Sequence, residues 1–423
     1  MTNNKTGMLT VLQNRDFLAL WLSQLVSKIG DNFAVVAALV LINELAEKAG
    51  LAVVVIAAAM TIPQLFALAS GVLVDRFSRK WLMIGTDVLR AGAVLLALLV
   101  QKPGHLYILY FTAFIVMGLG AMYIPARNAS LPNMVPEKHL LTANALIQAT
   151  ELVSLIAGAS LATLVISLTS TSTAFVVDSF TFLLSGVFLL AANIPQGKTG
   201  SGSANPIQKQ AFWPEFVSGL RYIASNKHLL QLMAITTMAT LGLSATVLLA
   251  AAYFKQLLGI SAEYLGLLQA TEGVGMALGA LLISLYASWA RSRQIVSVAM
   301  IVLGGGILVF ALAPAFWLVL LGALVVGLCV VSARTTLAAM TQALVSDAQR
   351  GRVESAMVTV IGIGTMGALI MAGILGDVVG PKIVFVITGI VVLTAGIASI
   401  FALRKAEALL LNGSIELPPS LLD

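Results

Sequence analysis

The chain has 423 residues, 59% of them hydrophobic and only 10% charged, with a formal net charge of +6. A soluble domain is roughly 45–50% apolar and about 25% charged, so a water-soluble protein of this length could neither bury so much apolar surface nor dissolve on so few charges. Composition therefore excludes a soluble enzyme, a nucleic-acid binder and a disordered chain, and it places the protein in a lipid bilayer.

A membrane-crossing helix needs about 20 mostly apolar residues. Twelve such runs follow one another along the chain, at about 17–43, 51–74, 81–101, 105–125, 142–168, 173–194, 228–254, 262–288, 295–313, 315–333, 353–376 and 382–403. The opening MTNNKTGMLTVL lacks the charged start, apolar run and small-residue cleavage site of a signal peptide, so the first helix is expected to act as an uncleaved targeting signal. The single cysteine, Cys329, falls inside an apolar run; it excludes an intramolecular disulfide and reads as a packing residue.

With both termini placed in the cytoplasm, eighteen of the 24 Lys and Arg residues fall on the cytoplasmic side. Four fall outside (Lys48, Lys102, Lys255, Lys382) and two inside spans (Lys28, Arg90). That bias predicts the orientation and explains the positive net charge without a polyanionic partner. The longest hydrophilic break, 195–227, begins with the flexible GKTGSGSANP. It then places Phe212, Phe216, Leu220 and Ile223 at helical spacing, which predicts an amphipathic helix on the inner membrane surface. The expected organisation is an N-terminal six-helix bundle (1–194), a cytoplasmic linker (195–227), a C-terminal six-helix bundle (228–405) and a cytoplasmic tail (406–423).

The two halves resemble each other. Span four ends Pro125-Ala126-Arg127 and continues to Pro136-Glu137; span ten ends Ser332-Ala333-Arg334 and continues to Ser346-Asp347, an offset of 207 residues at the arginines and 210 at the acids. Arg127 and Arg334 are thereby expected at equivalent inner helix ends, as a second gate. Two six-helix repeats imply a pseudo-symmetric transporter with its substrate site at their interface.

Between spans two and three the chain reads Gly71-Val72-Leu73-Val74-Asp75-Arg76-Phe77-Ser78-Arg79-Lys80. It resembles the G-x-x-x-D-R-x-x-R-[RK] signature of the major facilitator superfamily at every defined position. The resemblance implies an all-α integral membrane fold of twelve helices in two pseudo-symmetric bundles. It also implies a cytoplasmic gate made by Gly71, Asp75, Arg76, Arg79 and Lys80. The residues suit a gate: glycine allows close helix approach, and Asp75 can accept charge-assisted hydrogen bonds that lock one conformation. Further stretches are similar to the branch holding the enterobactin exporter and macrolide-efflux proteins. They are Pro125-Ala126-Arg127 with Leu131-Pro132 and Val135-Pro136, Ala143-Asn144-Ala145, Gly219-Leu220-Arg221-Tyr222 and Arg350-Gly351-Arg352-Val353. The triplet Gly30-Asp31-Asn32 resembles the bacterial inner-membrane lysophospholipid transporter. Two features depart from proton-coupled drug antiporters: 106–124 contains no arginine, and span five has no Gly-Pro pair.

Charges inside the spans carry the functional expectation, because each costs roughly 2.5–3.5 kcal/mol to insert near the bilayer centre. Lys28 and Asp31, three residues apart on one helix face, form either a structural ion pair or a proton switch. Glu151 and Glu272 have no cation within a turn of their own helices, and the resemblance implies that their spans face each other across the half-interface. Lys28, Asp31, Glu151 and Glu272 are the expected proton-coupling or substrate residues; Gln24, Asn32, Asn144, Gln148 and Gln269 are the expected cavity liners. Asp87, Arg90 and Asp178 read as structural. Gly304-Gly305-Gly306 lacks a phosphate-loop context and no Walker motif is present, so direct use of ATP is not expected. His105, His139 and His228 stand singly, so neither a metal nor a cofactor is expected.

The resemblance implies a proton-coupled exporter of amphipathic or hydrophobic small molecules, acting as a monomer in a bacterial-type inner membrane with no nucleic-acid partner. Two alternatives stay open: a lysophospholipid flippase, and a transport-inactive sensor on the same scaffold.

Overall fold

A computed structural model of the protein describes residues 8–46, 49–65, 77–136, 139–195, 212–261, 264–286, 292–345 and 350–412. Among them every regular element is helical. The helices are α1 (Met8–Leu12), α2 (Arg15–Leu45), α3 (Ala49–Leu65), α4 (Arg79–Val94, running into a 3-10 turn at Leu95–Leu99), α5 (Leu106–Met134), α6 (Leu140–Leu168), α7 (Thr171–Ala191), α8 (Phe212–Ser225), α9 (Lys227–Tyr253), α10 (Leu265–Tyr286), α11 (Ser292–Leu312), α12 (Phe316–Leu344), α13 (Arg350–Val379) and α14 (Pro381–Asn412). A helix occupies each of the twelve predicted segments. Ten of them are long and apolar enough among the described residues to cross a membrane; α3 and α9 are the two outside that ten.

Helix ends follow local chemistry. Asn14 caps α2 by accepting from the backbone N–H of Asp16 (3.0 Å) and Phe17 (3.1 Å), which satisfies two of the orphan donors of the first turn. Its Nδ2 meanwhile donates to the carbonyl of Met134 (2.8 Å), tying the start of α2 to the end of α5.

The chain divides into two compact units, Met1–Ala204 with Ile260–Ala270, and Asn205–Gly259 with Thr271–Asp423. In the first, α2 packs against α6 and α7, and α4 against α5 and α7. In the second, α9 packs against α13 and α14, and α11 against α12 and α14. These are the same four pairings moved on by one repeat. The second half of each repeat keeps a constant spacing: α5 and α12 start 210 apart (Leu106, Phe316), and so do α6 and α13 (Leu140, Arg350) and α7 and α14 (Thr171, Pro381); α5 and α12 are also equal in length, at 29 residues.

Arg127 and Arg334 lie on the corresponding helices α5 and α12. At 210 the counterpart of Arg127 is Leu337, and the two arginines, 207 apart, sit about one helical turn out of register. A second difference concerns α8. The helix forms as the spacing predicts, but Tyr222 and Ile223 are buried in the hydrophobic core of the second unit and α8 packs on α13, so this side faces protein. The last helix also runs through Arg404 and Lys405 as far as Asn412.

Close packing in the second unit depends on small residues. A side chain at Gly327 of α12 would meet the backbone carbonyl of Glu272 and the backbone of Met276 on α10. Gly305, by contrast, faces open space. Replacing Gly327 by Ala should therefore lower the midpoint of thermal unfolding in detergent, at a cost of about 1–3 kcal/mol for overpacking. Gly305→Ala should leave it unchanged or raise it, since alanine is the better helix former. Equal effects of the two substitutions would contradict this packing.

Candidate functional site

Five charged side chains of the first unit meet in one linked cluster. The helix α2 supplies Lys28 and Asp31, α4 supplies Asp87 and Arg90, and α6 supplies Glu151. Lys28 Nζ lies 3.6 Å from Asp31 Oδ2 and 3.7 Å from Glu151 Oε2. Arg90 Nη2 donates to the other oxygen of Asp31, Oδ1, at 2.7 Å, and Arg90 Nη1 is 3.7 Å from Asp87 Oδ1. Asp87 Oδ2 accepts from the Ser185 hydroxyl of α7 at 2.6 Å. The Arg90 guanidinium also stacks 4.0 Å over the ring of Phe182, a cation–π contact.

The cluster is graded by depth. The Glu151 side chain is 47% exposed and Lys28 32%, whereas Asp31 is 14%, Arg90 7% and Asp87 fully buried. The buried end is therefore held by Arg90 and the more open end by Lys28, with Asp31 shared between the two cations. Ion pairing is strong in such surroundings, and losing one partner leaves an uncompensated buried charge.

The helices approach closely enough for this because of Gly30. A Cβ there would collide with the Thr181 hydroxyl and the Asp178 carboxyl of α7. Asp178 is itself fully buried, and its Oδ1 is 3.5 Å from the Thr181 hydroxyl.

The other expected liners separate. Asn32 donates to the Lys28 carbonyl (2.8 Å) and across to the Ser154 carbonyl of α6 (3.1 Å), a helix-joining role. Asn144 is exposed and donates back to the Leu140 carbonyl (2.9 Å); Gln148 is exposed as well. Gln24 and Gln269 are buried; both amide atoms of Gln24 and Nε2 of Gln269 lack a hydrogen-bond partner. Glu272 is buried on α10 and belongs to the second unit.

Of the gate motif, Gly71, Asp75 and Arg76 lie outside the described residues. Arg79 donates to the Ala129 carbonyl of α5 (2.6 Å). Lys80 donates to the carbonyls of Leu190 (2.8 Å) and Ala192 (2.7 Å) at the end of α7. Cations at a helix C-terminus satisfy its orphan carbonyls and the negative end of its dipole. Arg127 donates to the side chain of its neighbour Asn128. Among the described residues, Arg334 is the one charged residue lining a cavity of about 380 Å³ in the second unit, beside Thr236, Thr240, Thr341, Met357 and Ile361.

Arg90 and Asp87, read from the sequence as structural, are integral to the cluster. A signal was available: Arg90 is the one basic residue besides Lys28 inside the predicted spans, and embedded acids need a cation.

This architecture is that of a membrane transporter of the major facilitator type. It resembles the solved structures of the nucleoside transporter NupG (TM-score 0.72, 14% identity, 92% of this chain and 99% of that one) and of a bacterial homologue of the human lysosomal transporter Spinster (TM-score 0.70, 13% identity, 95% and 98%), likenesses that establish the fold. The chain belongs to the MFS_3 family, described as transmembrane secretion effector, whose model matches residues 6–423. Macrolide efflux protein A of Streptococcus pyogenes is 24% identical over 392 residues, 90% of this chain and 94% of that protein. A putative bacilysin exporter, BacE of Bacillus subtilis (strain 168), is 32% identical over 189 residues, 43% and 44% of the two chains.

Removing Arg90 should be more damaging than removing Lys28. Arg90→Met leaves Asp31 and Asp87 buried without their shared cation, a loss of about 3–5 kcal/mol, and should sharply reduce the yield of folded protein by size-exclusion chromatography. Lys28→Met, at a site a third exposed, should give near-normal yield. The reverse order would contradict the depth grading of the cluster.

Proposed function

We propose that this protein is a proton-coupled exporter of amphipathic or hydrophobic small molecules. It works as a monomeric antiporter by alternating access of its six-helix halves, 1–194 and 228–405, in a bacterial-type inner membrane with both termini cytoplasmic. The observation that carries the reading is Lys28, one ammonium shared by two carboxylates on different helices, Asp31 and Glu151. Such a pairing has two states. A proton on Glu151 leaves Lys28 to Asp31; a proton on Asp31 leaves Lys28 to Glu151 and frees Arg90 for Asp87. Protonation thus changes which helices are tied together, as a conformational switch requires. Glu272, buried on α10, is the candidate coupling carboxyl of the second half.

The relatives named for efflux support the direction, and the cavity beside Arg334 supports the substrate class. Its volume lies in the usual range for small-molecule sites, and its lining joins apolar side chains to three threonine hydroxyls and one cation. Arg79 and Lys80, bonded to helix-end carbonyls, are suited to holding one conformation of the gate and releasing it in the other.

In proteoliposomes, efflux of an amphipathic dye driven by an imposed pH gradient should be abolished by Asp31→Asn, Glu151→Gln or Glu272→Gln, with protein incorporation unchanged. Wild-type transport by all three variants would overturn carboxylate coupling.

A further inference from the structure

A small cavity of about 30 Å³ lies inside the first unit, among α2, α3, α4, α5 and α7. Its wall is apolar, with Leu109, Val116 and Phe175 among its residues, except for three oxygen-bearing side chains: Asp31, Thr112 and Asp178. Thr112 and Asp178 are buried, and Thr112 Oγ1 and Asp178 Oδ2 have no hydrogen-bond partner. A buried carboxylate oxygen and a buried hydroxyl rarely stay unpaired, and here both belong to the wall of one space large enough for a single water or small ion.

The surrounding charge points the same way. Asp178 is faced by Asp31 from α2 and Arg90 from α4. Beyond these lie Asp87 on α4, held by Arg90, Lys28 on α2 and Glu151 on α6, joined through Asp31, and Tyr123 on α5. Four carboxylates thus stand against two cations, and Arg90 is already engaged by Asp31 and Asp87. With all four ionised, the deep end would carry negative charge that no side chain of the cluster balances.

We propose that this cavity is a binding site for one small monovalent cation, either a proton on Asp178 bridged to Thr112 by a single water in the cavity or a sodium ion, with Asp178 Oδ2, Thr112 Oγ1 and Asp31 as its oxygen donors. Hard oxygen donors suit both. The site shares Asp31 with the Lys28 switch of the transport reading, but its test varies Asp178 and Thr112, which take no part in that switch, and reads binding, so either can fail without the other.

The test uses the full chain in lipid nanodiscs. Infrared difference spectra across a pH titration look for a protonated carboxyl band, and thermal unfolding is followed in sodium chloride against choline chloride. A band lost in Asp178→Asn, shifted in Thr112→Val and retained in Asp87→Asn supports the proton form. A saturable, sodium-specific rise in unfolding temperature that both Asp178→Asn and Thr112→Val remove supports the sodium form. If Asp178→Asn does not fold, Thr112→Val, which keeps the carboxyl, reads both signals alone. Absence of both signals from the wild type, or their persistence unchanged in Thr112→Val, overturns the site. Loss of dye efflux in Glu151→Gln with these signals intact would concern the coupling switch and not the site.

Discussion

A charge survives in an apolar medium only when an opposite charge or several hydrogen bonds lie within reach, and Arg90 is where this protein meets that condition. Its guanidinium joins Asp31 on α2 to Asp87 on α4, while Ser185 on α7 holds the far oxygen of Asp87. Three helices are positioned by one side chain. Lys28 can then be shared with Glu151 at the more exposed end, because Asp31 has a second cation and is not left bare when Lys28 turns away. The glycine at position 30 follows from the same constraint, since α2 and α7 could not otherwise approach.

The two halves share packing but not chemistry. The pairings of α2 with α6 and α7, and of α4 with α5 and α7, recur one repeat later. At the spacing of 210, however, Glu151 corresponds to Ile361, Asp178 to Thr388, Ser185 to Ala395 and Thr112 to Gly322. Among the described residues the ionic cluster belongs to the first unit alone. The second offers instead a larger mixed cavity beside Arg334 and a buried carboxyl at Glu272. A duplicated scaffold has kept the small-residue and apolar contacts that bundle formation needs, while the polar positions have diverged.

Much of the fold was legible because a bilayer imposes one rule on every crossing segment: backbone groups must bond within it, so apolar runs of the right length become helices. The pairing of Lys28 with Asp31 was legible for an equally local reason, their separation by three residues on a helix. The rest of the cluster was not. Glu151 reaches Lys28 from 123 positions away and Arg90 reaches Asp31 from 59, separations at which no periodicity carries information. The matching motifs at Arg127 and Arg334 carried their register in the sequence itself, 207 at the arginines against 210 at the acids, and the helix starts repeat the 210.

Sequence by itself determined that the chain lives in a membrane, where its helices run, that it carries the superfamily's motif, and how few charges lie inside. Those are properties of composition and of contacts a few residues long. Which of those charges meet was decided only by helix packing, which put Arg90 and Asp87 at the centre of the cluster and Asp178 beside a cavity. Ion pairs are fixed within a few ångströms, and the crossing of α2, α4, α6 and α7 that sets those distances depends on the whole bundle.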